Sequence, residues 1–221
     1  MSTTPAKTLT LLTQEIQQKT QDFESVDGNE VLRQDLIGLA RSLISQLLTP
    51  REKLAHLAYF DFALYPVIRV LVDLGLFREL DAASQPVSVK RLAEESGADE
   101  QLLRRLLKHV AVANFVDETS PDTYVANEMT RCLASPGGQG VILDIWSASK
   151  CYSSFPEYFK SIGYANPLDK NNSAWYHRHN QHYFEYVFAP GHEREKQAFH
   201  DHMSFKGTYE ETVFGLCRSP S

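Results

Sequence analysis

The sequence has few cysteines, and they form no pattern typical of a metal site or a disulfide framework. Cys132, Cys151 and Cys217 are widely spaced among 221 residues, and no CxxC pair is present. Small secreted proteins use paired cysteines as cross-links, so an odd number of isolated ones is not typical of them. We therefore expect a fold held by a hydrophobic core, in a reducing compartment such as the cytoplasm.

Long hydrophobic runs and positive charge are also scarce. No 18 consecutive apolar residues occur, and the first ten residues lack the apolar centre of a signal peptide. Lys and Arg number 22 against 28 Asp and Glu, which gives a net charge of −6. Nucleic-acid binding draws much of its affinity from cations that neutralise phosphates. These absences predict a protein whose partners include neither a membrane nor a nucleic acid.

Helical periodicity dominates what is present. Apolar residues recur with helical spacing over residues 9–23 and 30–48, and the Asp27-Gly28 turn separates these two predicted helices. The second helix carries a wide stripe of leucines, namely Leu32, Leu36, Leu39, Leu43 and Leu47. Such a stripe requires a partner surface, which is either the rest of this chain or a second copy of it.

The order of predicted elements over residues 51–134 is helix, helix, turn, helix and hairpin. Pro66 interrupts the apolar stretch 51–80 and predicts a kink, or two helices that meet near Tyr65. Ser88 and Asp99 are placed to cap the next two helices. Two short strands around the turn at 119–122 then complete a β-wing. This order is typical of a winged helix-turn-helix.

A winged helix raises the possibility of DNA binding. The predicted second helix of the motif carries Arg104, Arg105, Lys108 and His109. Acidic residues flank that helix and occupy the wing, so a solvated surface explains the basic residues without a ligand. The solvated surface is the interpretation that we favour, since a fold alone does not specify a function.

Two further motifs suggest a ligand site but are better explained as ordinary structure. Residues 137–140 read Gly-Gly-Gln-Gly, but they lack the spacing and the preceding strand of a phosphate-binding loop, so we predict a loop between helices. His179 and His182 have a spacing that suits a metal, yet no HExxH motif is present and Glu185 is the single nearby carboxylate. We therefore predict no metal site.

Several phrases of the sequence occur together in one known family. They are Asp73-Leu-Gly-Leu-Phe77, the segments 87–93 and 97–108, Tyr124-Val-Ala-Asn127 with Thr130, and Phe184-Glu-Tyr186 with Phe199 and Met203. In this order they resemble the S-adenosylmethionine-dependent O-methyltransferases of the plant type, in particular the fungal branch that acts in secondary metabolism. The resemblance covers residues 30–206.

The resemblance implies a mainly α fold: a winged helix-turn-helix dimerisation domain with a small β-wing, followed by helices, without a Rossmann-like sheet. Its expected divisions are an extension over 1–29, the dimerisation domain over 30–134, a helical segment that roofs the substrate over 135–206, and a tail over 207–221. The implied partners are a second copy of the chain or a related methyltransferase, and a small aromatic or polyketide-like metabolite.

The resemblance stops before the family's cofactor-binding domain, which would supply the S-adenosylmethionine site and the catalytic histidine. We therefore expect a truncated family member with no catalytic, cofactor or metal residues of its own and no methyl transfer by this chain alone. Alternatives are an accessory subunit of a full-length methyltransferase, or a metabolite-binding enzyme that catalyses a methylation-independent reaction such as a cyclisation. The resemblance proposes five substrate-lining residues: Trp146, Phe184, Phe199, His200 and Met203.

Overall fold

A computed structural model describes residues 8–26 and 29–206 of the chain. The chain divides into two compact units, one up to Ala63 and one from Leu64 onward. The predicted Asp27-Gly28 turn and the predicted tail over 207–221 lie outside the described residues. The divisions predicted at residues 29, 134 and 206 stay predictions.

The first unit is helical. Its elements are α1 (Leu9–Ser25), α2 (Glu30–Leu47), α3 (Pro50–Ala55) and a π-helical segment (His56–Asp61). Helix α1 packs on α2, and Lys19 forms an ion pair with Asp35 between them at 2.5 Å. The two predicted helices are therefore present.

The leucine stripe of α2 is only partly covered in the described chain: α1 packs on this helix and leaves most of the stripe half-buried. No residue of α2 is buried. Val31 and Leu47 are 72% and 60% exposed, and Leu57 and Tyr59 of the π-helical segment are 64% and 80% exposed. Exposed aliphatic and aromatic side chains at this density are typical of a surface that binds another protein.

Pro66 lies inside a helix rather than at a junction. It belongs to α4 (Phe62–Asp73), which continues the helical run that begins at Pro50. The change in backbone hydrogen bonding falls earlier, in the π-helical segment, and no break occurs near Tyr65. Among the described helices, the run Pro50–Asp73 alone has the length and apolar content to cross a membrane, although core helices of soluble proteins meet the same criteria.

The second unit begins with the winged helix. After α4 come α5 (Leu76–Ala82), β1 (Val87–Ser88), α6 (Val89–Ser96), α7 (Glu100–Val112), β2 (Asp117–Ser120), β3 (Thr123–Val125) and α8 (Glu128–Ala134). The strands form an antiparallel sheet in the order β1-β3-β2. The predicted hairpin is therefore confirmed, and β1 is an additional strand that the sequence pattern did not reveal.

Local sequence explains where these elements begin and end. The Ser88 hydroxyl accepts a hydrogen bond from the Arg91 backbone N–H, and the Asp99 carboxylate accepts one from the Leu102 N–H, which confirms both predicted caps. Gly75 adopts a left-handed conformation (φ 73°) after α4, as expected of a residue that ends a helix. Apolar side chains of α4–α9, β1 and β3 form a hydrophobic core, with Leu71, Leu92, Leu103 and Leu107 fully buried.

Basic side chains of α7 form ion pairs with carboxylates of the same motif. Arg104 donates hydrogen bonds to Glu100 at 2.7 Å and to Asp122 at 2.9 Å. Lys108 forms an ion pair with Glu118 of the wing. These contacts join α7 to the wing and favour the solvated-surface interpretation over a phosphate-binding one.

The remaining helices are α9 (Pro136–Tyr152), α10 (Phe155–Ser161), α11 (Ala174–His179), α12 (Tyr183–Val187) and α13 (Glu193–Lys206), with a short 3₁₀ turn at Lys170–Asn172. Helix α13 packs along α9. The prediction that residues 137–140 form a loop is wrong, because these glycines lie in the first turns of α9. Pro136 occupies the first helical position and the Ser135 hydroxyl caps the Gly138 N–H, which are strong signals for a helix start.

The glycines of α9 allow close backbone packing. A Cβ atom at Gly138 would lie 2.0 Å from the Cys132 carbonyl oxygen, and one at Gly140 would lie 2.6 Å from the His202 backbone nitrogen. At Gly137 the nearest atoms belong to the Phe205 side chain, at 2.7 Å. Glycine is therefore required where α9 approaches α8 and α13.

Candidate functional site

A buried polar cluster lies where α9, α12 and α13 meet. Asp144 of α9 keeps 6% of its side-chain exposure and His202 of α13 keeps 10%, and the His202 Nδ1 atom lies 2.7 Å from an Asp144 oxygen. The Tyr183 hydroxyl of α12 donates a hydrogen bond to the other Asp144 oxygen. A buried carboxylate needs such partners, because its desolvation is costly.

The cluster keeps the Tyr183 hydroxyl protonated. Burial, together with the hydrogen bond to Asp144, raises the pKa of Tyr183 well above its ordinary value, so the hydroxyl is a hydrogen-bond donor at neutral pH. Two residues earlier on α9, the Tyr65 hydroxyl donates to the Ile142 carbonyl oxygen at 2.7 Å. These hydrogen bonds hold α9 to α4, α12 and α13.

A cleft of about 150 Å³ opens on the same helices as this cluster. Four helices contribute its walls: α4, α9, α12 and α13. Its lining comprises Arg69, Leu143, Trp146, Ser147, Lys150, Tyr186, Arg194, Glu195 and Ala198. A cavity of this size holds a single aromatic ring.

Asp73 positions two of the cations that line the cleft. Its carboxylate accepts a hydrogen bond from Arg69 Nε at 2.9 Å and another from Arg194. Partial burial would raise the pKa of Asp73, but the hydrogen bonds from the two arginines outweigh it and keep that pKa below its ordinary value. The Arg69 guanidinium also lies over the Trp146 ring, 5.6 Å from its centroid.

An aromatic surface lies on α12 and α13. Phe199 contacts Phe184 and Phe188, each with ring centroids 5.8 Å apart and nearly perpendicular planes, and the His200 ring is 5.8 Å from Phe199. Phe184 and Phe188 are 61% and 45% exposed. We call Phe184, Phe188, Phe199 and His200 the aromatic surface.

The five predicted substrate-lining residues fall in two places. Phe184, Phe199 and His200 meet in the aromatic surface, and Met203, which is 38% exposed, follows them by one turn on α13. Trp146 lies in the cleft, where its ring centroid is 5.9 Å from that of Tyr65. Whether these residues contact a substrate stays a prediction.

The histidines considered as metal ligands are engaged with aromatic rings and helix ends. The His179 ring stacks on Trp175 at 4.1 Å, and burial lowers the pKa of His179. Glu185 accepts a hydrogen bond from the His182 backbone N–H at 3.2 Å at the start of α12. Over residues 8–26 and 29–206, no three His, Cys, Asp or Glu side chains are grouped to hold a metal ion.

The sequence interpretation missed the Asp144 cluster, although a signal for it exists. Asp144 stands alone within the apolar run Val141-Ile-Leu-Asp-Ile-Trp146, so a single carboxylate falls on a helix that is otherwise built for burial. Such a carboxylate must find a donor. The sequence does not reveal which donor, because Tyr183 and His202 lie 39 and 58 residues away.

Comparison with known families identifies the winged-helix region. Residues 57–136 match the model of the O-methyltransferase dimerisation domain. The chain is similar to O-methyltransferase mpaG of Penicillium roqueforti, with 31% identity over 163 residues, which cover 73% of this chain and 40% of that protein. Methyltransferase cfoC of Aspergillus candidus is 30% identical over 171 residues, which cover 75% of this chain and 41% of cfoC.

Solved structures share the fold. A variant of LepI in complex with SAH and a substrate analogue superimposes with a TM-score of 0.74 at 24% identity, over 91% of this chain and 50% of LepI. OxaC in complex with sinefungin and meleagrin superimposes with a TM-score of 0.76 at 15% identity, over 90% of this chain and 51% of OxaC. The chain thus spans 40–51% of the length of these four proteins, and its sequence relatives are fungal O-methyltransferases.

Proposed function

We propose that this chain forms the dimerisation and substrate-roof part of an O-methyltransferase that acts on an aromatic or polyketide-like metabolite. The observation that carries the proposal is the combination of a dimerisation-domain match over 57–136 with a helical segment that presents a polar cleft and an aromatic surface. A cytoplasmic location, without a membrane or nucleic-acid partner, is part of the proposal.

Dimerisation is supported by the uncovered apolar residues of the first unit. The partly exposed stripe of α2 and the exposed Leu57, Tyr59 and Phe62 supply the apolar area that a stable homodimer buries. We propose a homodimer as the principal state. A heterodimer with a related methyltransferase would use the same surface.

The helical segment can orient a substrate but cannot by itself hold the methyl donor. Methyl transfer depends on alignment of the donor carbon with the nucleophile, so both reactants must be held. The glycine-rich segment 137–140 offers no loop for S-adenosylmethionine, because it lies within a helix and is covered by α8 and α13. We therefore propose that the 221-residue polypeptide alone binds no S-adenosylmethionine and transfers no methyl group.

A methylation-independent reaction is the second candidate. One solved structure with this fold is that of a pericyclic reaction enzyme; it has a TM-score of 0.74 and 23% identity, over 89% of this chain and 49% of its own. In a reaction of that class, binding energy and hydrogen-bond donors near the rearranging bonds could lower the barrier. The two candidates differ in their dependence on S-adenosylmethionine.

Two measurements on the purified polypeptide test the leading proposal. Light scattering should give twice the chain mass of 25.1 kDa, and calorimetric titration with S-adenosylmethionine should show no binding. A monomer at micromolar concentration would contradict dimerisation. Saturable binding of S-adenosylmethionine with methylation of an added phenol would contradict the proposed dependence on a separate cofactor-binding part.

Incubation with candidate metabolites separates the two functions. The leading proposal predicts no product from the polypeptide alone, with or without S-adenosylmethionine. A product of unchanged mass that forms without S-adenosylmethionine would favour the second candidate, since a cyclisation rearranges atoms without adding any. Intact mass of the protein from its source would show whether the native product carries a further domain.

A further inference from the structure

We infer that the cleft between α4, α9, α12 and α13 binds a small aromatic molecule that carries a carboxylate or another acidic group. The inference names the ligand class of the proposed substrate roof and rests on that proposal. It depends on three features of the cleft: its cations, the way in which they are held, and its aromatic wall.

Positive charge is concentrated in the cleft although the chain as a whole carries a net charge of −6. Arg69, Lys150 and Arg194 line the cleft, against the single lining carboxylate of Glu195. Lys150 has no described ion-pair partner, and Glu195 lies 4.0 Å from the His192 Nδ1 atom. A neutral ligand would leave Lys150 without an ion-pair partner, whereas an anion would pair with it and would share the two arginines with Asp73.

Both guanidinium groups are positioned before any ligand arrives. Asp73 accepts one hydrogen bond from Arg69 and one from Arg194, and the Arg69 side chain retains 15% exposure. The described hydrogen bond of Arg69 uses Nε, so its terminal N–H groups have no described partner, and the residue lines the cleft. A guanidinium held in place loses little entropy when it binds a carboxylate in a forked geometry.

The aromatic wall selects a planar ligand. Trp146 and Tyr186 line the cleft, and Arg69 already lies against the Trp146 ring at 5.6 Å. Ser147 adds a hydroxyl one residue along α9. A volume of about 150 Å³ accommodates a single aromatic ring with a small acidic substituent.

The test compares 4-hydroxybenzoate with its uncharged methyl ester by calorimetric titration of the 221-residue protein. The acid should bind at least about tenfold more tightly than the ester, as expected for charge-assisted hydrogen bonds. Lys150→Gln and Arg69→Gln should each weaken acid binding, by about threefold and tenfold respectively. Lys160→Gln changes an exposed lysine of α10 outside the cleft and serves as the matched control, with unchanged affinity.

Fluorescence locates the bound acid, because Trp146 and Trp175 are the only tryptophans in the sequence. In Trp175→Phe, the acid should quench Trp146 over the same concentration range that calorimetry gives. Equal binding of acid and ester would overturn anion recognition and leave the substrate-roof proposal intact. Absence of binding up to about 10 mM acid, or binding without quenching of Trp146, would also overturn the inference.

Discussion

The close approach of α9 and α13 gives the sharpest test of the fold, through Gly140→Ala. The added Cβ would lie 2.6 Å from the His202 backbone nitrogen and 2.9 Å from the Ala198 carbonyl oxygen, whereas ordinary contacts begin at 3.4 Å. These are backbone atoms, so a side-chain rotation cannot relieve the clash. Helix α13 must move away by about 0.8 Å.

The expected loss of stability combines three effects. Overpacking of this kind costs about 1–3 kcal/mol. Displacement of α13 also stretches the 2.7 Å contact between His202 and Asp144, and a hydrogen bond to a charged group contributes about 1.5–3 kcal/mol. The higher helix propensity of alanine returns about 1 kcal/mol. We therefore expect the free energy of unfolding to fall by about 1.5–5 kcal/mol.

Urea unfolding followed by tryptophan fluorescence measures this change, since Trp146 and Trp175 both belong to the second unit. The midpoint should fall by about 1 M or more. Gly138→Ala should reduce the free energy of unfolding more than Gly140→Ala does. Gly137→Ala should reduce it less than Gly140→Ala does, because the atoms nearest to Gly137 belong to the Phe205 side chain. Gly38→Ala in α2, where no atom lies within 4 Å, is the control and should be neutral or stabilising in far-UV circular dichroism. A Gly140→Ala protein as stable as the parent would refute the reasoning.

Three further predictions concern the dimer, the buried cluster and acid stability. Leu39→Asp or Leu43→Asp should lower the oligomeric state in light scattering, because each places a charge on the stripe of α2; an unchanged dimer mass would argue against that interface. Asp144→Asn should destabilise the protein by about 1–3 kcal/mol in urea unfolding, since it removes a buried carboxylate that is hydrogen-bonded to Tyr183 and His202, and an unchanged midpoint would contradict this. Folding lowers the pKa of Asp73, so its stabilising effect is present above its unfolded pKa of about 3.9 and is lost as the pH falls through the lower folded value. Asp73→Asn should therefore reduce the dependence of the urea midpoint on pH below about 4. An unaltered pH dependence would count against the Asp73 contacts.

The sequence predicts local structure well where a single residue type determines it. Ser88 and Asp99 cap their helices as predicted, because a hydroxyl or a carboxylate at that position satisfies a free backbone N–H. The prediction for residues 137–140 is wrong for the opposite reason. Glycine is permissive, and its low helix propensity was outweighed by Ser135 and Pro136 at the helix start and by packing against α13.

The candidate site is harder to predict, because its residues are distant in the chain. The family resemblance groups Phe184 with Phe199, and their rings do meet. No local pattern brings Arg69 to Trp146, or Asp73 to Arg194 across 121 residues. These pairs depend on how α4, α9 and α13 pack, and a single sequence does not encode that packing in any short motif.

The ion pairs between α7 and the wing bear on how this fold could change its partner. Each phosphate contact by Arg104 or Lys108 would first require separation from Asp122, Glu100 or Glu118. Reversal of the charge on one of these carboxylates would therefore not create a nucleic-acid-binding surface, because the remaining carboxylates would still compete for the same cations. The cations of α7 that could bind a nucleic acid instead form ion pairs that hold α7 to the wing within the domain.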